Sequence, residues 1–231
     1  MNAASGPQGE QETIPLHLLR LVSQGLPVGG FSYSRGLESA VQAGWVSDEA
    51  SARDWILGML QTNVAQLDGA LFWRMAMALE VGDIERFRAA DAWLAASRES
   101  LELQREDRRL GEALLRLLGD LDVPAATNVQ GQGLTYPATF ALATHHWRIA
   151  SFQALSGLLW VYVEGQVTAA IRLVPLGHTA GQRILVKAVG AIEQAAVLAR
   201  SIDDRDIGNL APALAMGSAW HETQYSRLFQ S

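Results

Sequence analysis

The segment from Phe152 to Leu173 constrains this chain more than any other, because it is apolar on nearly every side. A helix built from such a segment has no face to offer water and must lie inside a bundle. Gly157, Val161, Gly165 and Ala169 fall at steps of four along it, a row of small residues that lets a neighbouring helix approach closely. No uninterrupted apolar run approaches the roughly 18 to 20 residues of a membrane span. The greasiest stretch, Ala154 to Val163, stops at Glu164.

Helical periodicity organises the rest. Leu18, Leu19 and Val22 mark a short helix ending at Gly25 and Pro27, and Leu37 with Val41 a second one closing at Gly44. Ser47 and Asp48 are N-cap residues for a long helix to about Leu79, with a stripe of Trp55, Met59, Thr62, Gln66, Gly69 and Trp73. Asp83 starts another helix through Phe87, Ala90 and Leu94. Arg98 to Leu118 continues with Leu101, Leu110, Leu114 and Leu117 against a charged opposite face. Breaks at Gly119–Pro124 and Asn128–Gly133 precede a helix from about Pro137, a residue tolerated in a first turn. After Pro175 and Gly177 comes a helix through Leu185, Val189, Ile192, Ala196 and Ala199, then a polar link and a last helix. Strand-like alternation is scarce. The expected fold is all-α, a single-domain helical bundle with a buried central helix, over residues 15–231. Residues 1–14, small and polar, read as a flexible leader without the basic start or apolar core of a secretory signal.

Composition removes several chemistries. A chain of 231 residues with 49 % hydrophobic and 18 % charged residues buries a core and is not disordered. Eighteen Lys and Arg against 24 Asp and Glu leave a net charge of −6, which argues against a general nucleic-acid binder. Without cysteine there is no disulfide, thiolate metal site or cysteine nucleophile. No phosphate-binding GxxxxGK[ST] occurs, and Gly29, Gly30 and Gly36 do not form the dinucleotide fingerprint. His145 and His146 are adjacent, so a helix points them about 100° apart, away from a shared metal. His221–Glu222 lacks the second histidine of HExxH; hydrogen-bonded histidines are the plainer reading. No serine sits in a nucleophile elbow. The expectation is a soluble, cytoplasmic protein with no catalytic residue, metal site or cofactor. An enzyme with an unsignalled site in the bundle core and a purely structural dimer are the rival classes.

Four segments stand out. Leu26–Glu38, LPVGGFSYSRGLE, is a glycine turn that projects Phe31 and Tyr33. Ser97–Gly111 is charge-rich and reads most simply as a solvated helix face with ordinary ion pairs such as Arg98–Glu102. Pro175–Gln182, PLGHTAGQ, is a kinked connection. The last dozen residues, WHETQYSRLFQS, crowd Trp220, Tyr225, Leu228 and Phe229 beside Arg227, residue types that dominate interfaces when desolvated. Such an end either folds back on the bundle or docks on another protein, and a partner-binding tail over about 220–231 is the expectation. If a helix continued through it, Tyr225 and Phe229 would share a face.

Taken in order, these segments resemble the UreF family of urease accessory proteins. The family pattern LP-x-GG-F-x-YS-x-GLE matches Leu26–Glu38, followed by Arg98–Glu99, Tyr136–Ala141, Pro175–Gln182 and the terminal His221–Ser231. His178 stands where the family often has Gln, and YPATFA puts Ala141 where a glycine is commoner. The resemblance implies an all-helical, dimerising protein without chemistry of its own. It would bind UreD (also called UreH) and, through that complex, the nickel-carrying GTPase UreG, to load nickel into apo-urease. It also marks Phe31, Tyr33, Glu38, Tyr225, Arg227 and Phe229 as partner-contacting or tail-ordering residues. Lys187, the only lysine, is the candidate for modulating the GTPase, a polar helix face being the plainer reading.

Overall fold

In a computed structural model the described residues are 15–129, 133–209, 211–222 and 224–230. The leader 1–14 lies outside them. Four of the described α-helices open on a side-chain cap. After α1 (Leu16–Val22) and a 3-10 turn at Gly30–Ser32 comes α2 (Leu37–Gln42). Asp48 accepts the Ser51 amide at 2.8 Å while Ser51 Oγ takes the Asp48 amide at 3.1 Å, a reciprocal box that opens α3 (Glu49–Met59). That helix runs on through a π-helical segment (Leu60–Gly69) into α4 (Ala70–Glu80). Asp83 caps α5 (Ile84–Ala96) and Ser100 caps α6 (Leu101–Asp120). After α7 (Pro124–Val129), Thr135 caps α8 (Tyr136–His146), with Pro137 in its first turn. The chain closes with α9 (Ser151–Leu173), α10 (His178–Ser201), a 3-10 turn at Asp204–Asp206, and α11 (Pro212–Glu222). No strand occurs among the described residues, and the fold is the expected all-α single domain.

The buried central helix is α9. It packs against α1, α2, α3, α4, α8, α10 and the π-segment, and between Ser151 and Leu173 only Gln153 and Arg172 are exposed. Contrary to the sequence expectation, this helix is long and apolar enough, by length and composition, to cross a membrane. Here its neighbours cover it. Its row of small residues works at one end: a Cβ on Gly157 would sit 2.6 Å from Leu18 Cδ1, so glycine lets α1 lie against α9. At Gly165 an added Cβ would meet no other part of the protein within 4 Å, and that residue lines a cavity instead.

Several stripes are displaced from their expected phase. On the long helix the buried side is Ala52, Ile56, Leu60, Val64, Leu67 and Leu71, whereas Thr62 is exposed and Trp55 and Trp73 are flanking, half-buried residues. The tryptophans mark the edge of the contact rather than its centre, and the π-segment rotates the register beyond Leu60. On α1 the buried residue is Leu21, with Leu19 54 % exposed, and on α10 Ile184 and Ala188 replace Val189 in the core. Gly181 allows α10 to fold back closely on α9, since a Cβ there would meet Ile171 Cδ1 at 2.6 Å. Ala141 is fully buried within an uninterrupted α8, so its departure from the family glycine leaves the helix regular.

Among the described glycines, Gly111 of α6 makes the closest approach to another stretch of backbone: an added Cβ would lie 2.2 Å from the Leu134 carbonyl oxygen, just before α8. Helix propensity alone favours alanine there by up to about 1 kcal/mol, but a rigid backbone overlap outweighs it. Gly111→Ala should therefore lose about 1–3 kcal/mol of stability in urea unfolding. An unchanged or raised midpoint would show that α6 and α8 are not held this close.

Candidate functional site

Charged residues that periodicity assigns to a solvated face are buried between α2, the π-segment, α6 and α8. Arg98, just before α6, sends two N–H groups to Asp68, at 2.7 and 3.0 Å, and its Nε–H to Asp107 at 2.8 Å. Asp107 also accepts the Tyr136 amide at 3.0 Å, so the same carboxylate holds the start of α8. Arg35 reaches in from the loop before α2 and donates to Glu106 at 2.6 Å, with Asp68 4.0 Å away. Its backbone has φ 48°, followed by Gly36 at 79°. A left-handed arginine costs roughly 1–2 kcal/mol, which the ion pair inside must offset. Asp91 on α5 completes the set by accepting both the amide and the hydroxyl of Thr135, at 3.0 and 2.6 Å.

These environments shift protonation in opposite directions. Burial alone would raise the Asp68 carboxyl, but the Arg98 and Arg35 guanidiniums outweigh it and hold Asp68 below the usual carboxylate range. Asp91 has hydrogen bonds but no cation, and burial pushes its carboxyl up. Burial likewise raises the Tyr136 and Tyr162 phenols.

A second cluster ties the C-terminal segment to the bundle. His221, wholly buried on α11, lies between two carboxylates: Nδ1 is 2.7 Å from Glu102 and Nε2 3.2 Å from Glu38. A neutral imidazole donates to one of these and an imidazolium to both. Glu38 also accepts the successive amides of Leu228 and Phe229, at 2.7 and 2.9 Å, while Glu102 accepts from Arg227 at 2.6 Å. The Gln230 amide donates to the Ser32 carbonyl at 2.8 Å, which brings the glycine loop beside the tail. Phe229 is buried, with the Arg172 guanidinium 5.0 Å from its ring centre.

All six expected contact residues therefore lie on or against the tail and the glycine loop, but in different roles. Glu38, Arg227 and Phe229 are ordering residues that fasten the tail to its own bundle. Phe31, 63 % exposed, and Tyr225, fully exposed, face outward. Tyr33 lies between the glycine loop and the tail and lines the clefts on both sides. The helix stops at Glu222, so Tyr225 and Phe229 share no helical face. Of the glycines in the turn, Gly29 has the positive φ, 79°, and Gly30 does not. The loop covers a largely apolar cavity of about 120 Å³ against α9. Lys187 is exposed on α10, outside both clusters, beside Arg183 and near Glu49, whose carboxyl Arg183 chiefly holds below its usual range. Among the described residues no group of three His, Asp or Glu is placed to hold a metal ion.

The sequence reading missed Arg35, Asp68, Glu102, Glu106, Asp107 and His221 as site residues, and the structure corrects its Arg98–Glu102 pair: Arg98 meets Asp68 and Asp107, and Glu102 meets His221 and Arg227. A signal was present. Glu106 and Asp107 lie at steps of three and four between Leu103, Leu110 and Leu114, which puts acids on the apolar stripe itself.

The chain is similar to known proteins along most of its length. The UreF family model matches residues 46–189. A Brucella anthropi protein named urease accessory protein UreF 2 is 58 % identical over 217 residues, covering 94 % of this chain and 96 % of the relative. Urease accessory protein UreF of Alkalilimnicola ehrlichii is 43 % identical over 215 residues, covering 93 % and 94 %.

Replacing Arg98 by Gln leaves Asp68 buried without its principal counter-ion. The expected cost at pH 8 is about 3–5 kcal/mol. In wild type the depressed Asp68 value means its contribution is complete above about pH 3.8 and is lost only as pH falls through the lower folded value. In Arg98→Gln the shift reverses, so stability is lost as pH rises, and the deficit against wild type should be smaller at pH 5 than at pH 8. Urea midpoints at both pH values check this; a pH-independent deficit contradicts it.

Proposed function

The chain belongs to the UreF family of urease accessory proteins, and from that premise we propose that it is a non-catalytic adaptor in urease maturation. It joins UreD (UreH) and the GTPase UreG in a complex that delivers nickel, as cargo, to apo-urease. The observation that carries this reading is the held tail. Leu228 and Phe229 are pinned through their backbone to Glu38, and Arg227 through its side chain to Glu102. Tyr225 and Leu228 nevertheless point outward, 105 % and 54 % exposed. Aromatic and aliphatic groups displayed on a segment that is already ordered are what a protein interface needs, because a partner then bears less ordering cost.

The adaptor reading includes a homodimer, supported by Val186, Val189 and Val197, which leave an apolar strip uncovered on α10. Coupling to the GTPase requires that the complex contact UreG differently in its two nucleotide states. Lys187 is accessible for such a contact, and GTP hydrolysis by UreG with wild type or Lys187→Ala measures its part.

Tyr225→Ala removes outward area without touching a buried group, so stability should stay within about 0.5 kcal/mol of wild type. Capture of UreD in a pull-down should weaken by about 2 kcal/mol or more, the size of an interface hot spot. Truncation after Glu222 should keep the helical circular-dichroism signal and abolish capture. Undiminished capture by both variants would move the UreD contact elsewhere and remove the tail from the account.

A further inference from the structure

Between α6 and the tail lies an open, polar cleft whose rim carries Arg105, Arg109 and Arg227. Arg105 is exposed and has no hydrogen-bond or ion-pair partner among the described residues. Arg109, one turn further, has among the described residues only a hydrogen bond to the neutral Gln230 side-chain amide, at 3.0 Å. Arg108 and Arg116 extend the same outward face of α6, with Glu112 between them and Asp120 one turn beyond Arg116. A chain with a net charge of −6 thus concentrates unneutralised arginines on one helix, beside the segment assigned to partner contact.

We propose that this cleft docks an acidic, extended segment of a partner protein, one whose carboxylates pair with Arg105 and Arg109 one by one. The spacing favours it. Arg105 and Arg109 are separated by about 6 Å of helix rise, close to the roughly 6.6 Å between alternate residues of an extended strand. A segment with acids at every second position presents one carboxylate to each guanidinium, the planar fork that matches a carboxylate best. The floor argues against a phosphate or nucleotide. It holds Glu102 and Glu106, already engaged with Arg227, His221 and Arg35, and a compact polyanion there would face two carboxylates instead of converging donors. One wall of the cleft is the tail itself, through Arg227, Phe229 and Gln230, so the docking site exists only while Glu38 and Glu102 hold the tail.

The inference rests on the adaptor reading, but its test uses no accessory protein and so succeeds or fails separately from it. Fluorescence anisotropy of a labelled ten-residue alternating Glu-Ala peptide is measured on the full chain at low salt, beside the alternating Lys-Ala peptide and with inorganic triphosphate as competitor. The Glu-Ala peptide should bind, weaken as salt rises, and bind about tenfold less tightly to the double variant Arg105→Gln/Arg109→Gln, at about threefold per exposed pair. Arg105→Lys/Arg109→Lys should recover most of that loss, and Arg88→Gln, an exposed arginine on α5, should bind as wild type does. No preference for the acidic peptide, or equal binding by the double Gln variant, would overturn the proposal. Triphosphate that binds more tightly than the peptide would also overturn it, and make the cleft a phosphate site.

Discussion

Arg98 is the residue on which the arrangement depends. Its guanidinium is the common partner of Asp68 on the π-segment and Asp107 on α6, and Asp107 in turn caps α8. Three elements far apart in sequence are thereby fixed by one cation with 8 % of its side chain exposed. Replacing such a network by apolar residues is often neutral for stability, so its value here is positional. It sets the rotation of α6 about its own axis. With Asp107 and Glu106 turned inward, Glu102 one turn earlier is also inward, and Arg105 and Arg109 are left outside.

From that rotation the tail follows. Glu102 meets His221 and Arg227, and Glu38, aimed by the left-handed Arg35–Gly36 turn, meets His221 from the other side and takes two tail amides. Two carboxylates therefore hold a stretch that has no secondary structure of its own. The result is a surface made partly of helix and partly of held coil, with Tyr225, Leu228 and Phe31 outward. An adaptor needs such a surface more than it needs a reactive group, and within this frame the family membership and the geometry support the same role.

Much of the fold was legible before the structure. The caps at Asp48, Asp83 and the Pro137 turn, the breaks, and the enclosed α9 follow from local chemistry, which acts within one turn of the chain. What failed was the phase of helices whose two sides differ little in polarity. Trp55 looked central because tryptophan is large and apolar, yet the neighbours in the bundle cover Ile56 and Leu60. The site was legible in its segments and not in its wiring. The motifs placed Glu38, Arg227 and Phe229 in one functional unit, but a pairing such as Arg98–Asp68 or Glu38–Phe229 spans 30 or 191 residues and no periodicity encodes it. The acids on the stripe of α6 carried a warning that a charge run was not a solvated face.

The central claim is that Glu38 holds the tail ordered in the free protein, through the amides of Leu228 and Phe229. Amide hydrogen exchange on those two residues tests it directly. Wild type should show both protected well beyond the rate of an unstructured chain, and Glu38→Gln should lose most of that protection while the amides of α9 keep theirs. Exchange of Leu228 and Phe229 at the unstructured rate in wild type, or protection unchanged in Glu38→Gln, would contradict the account.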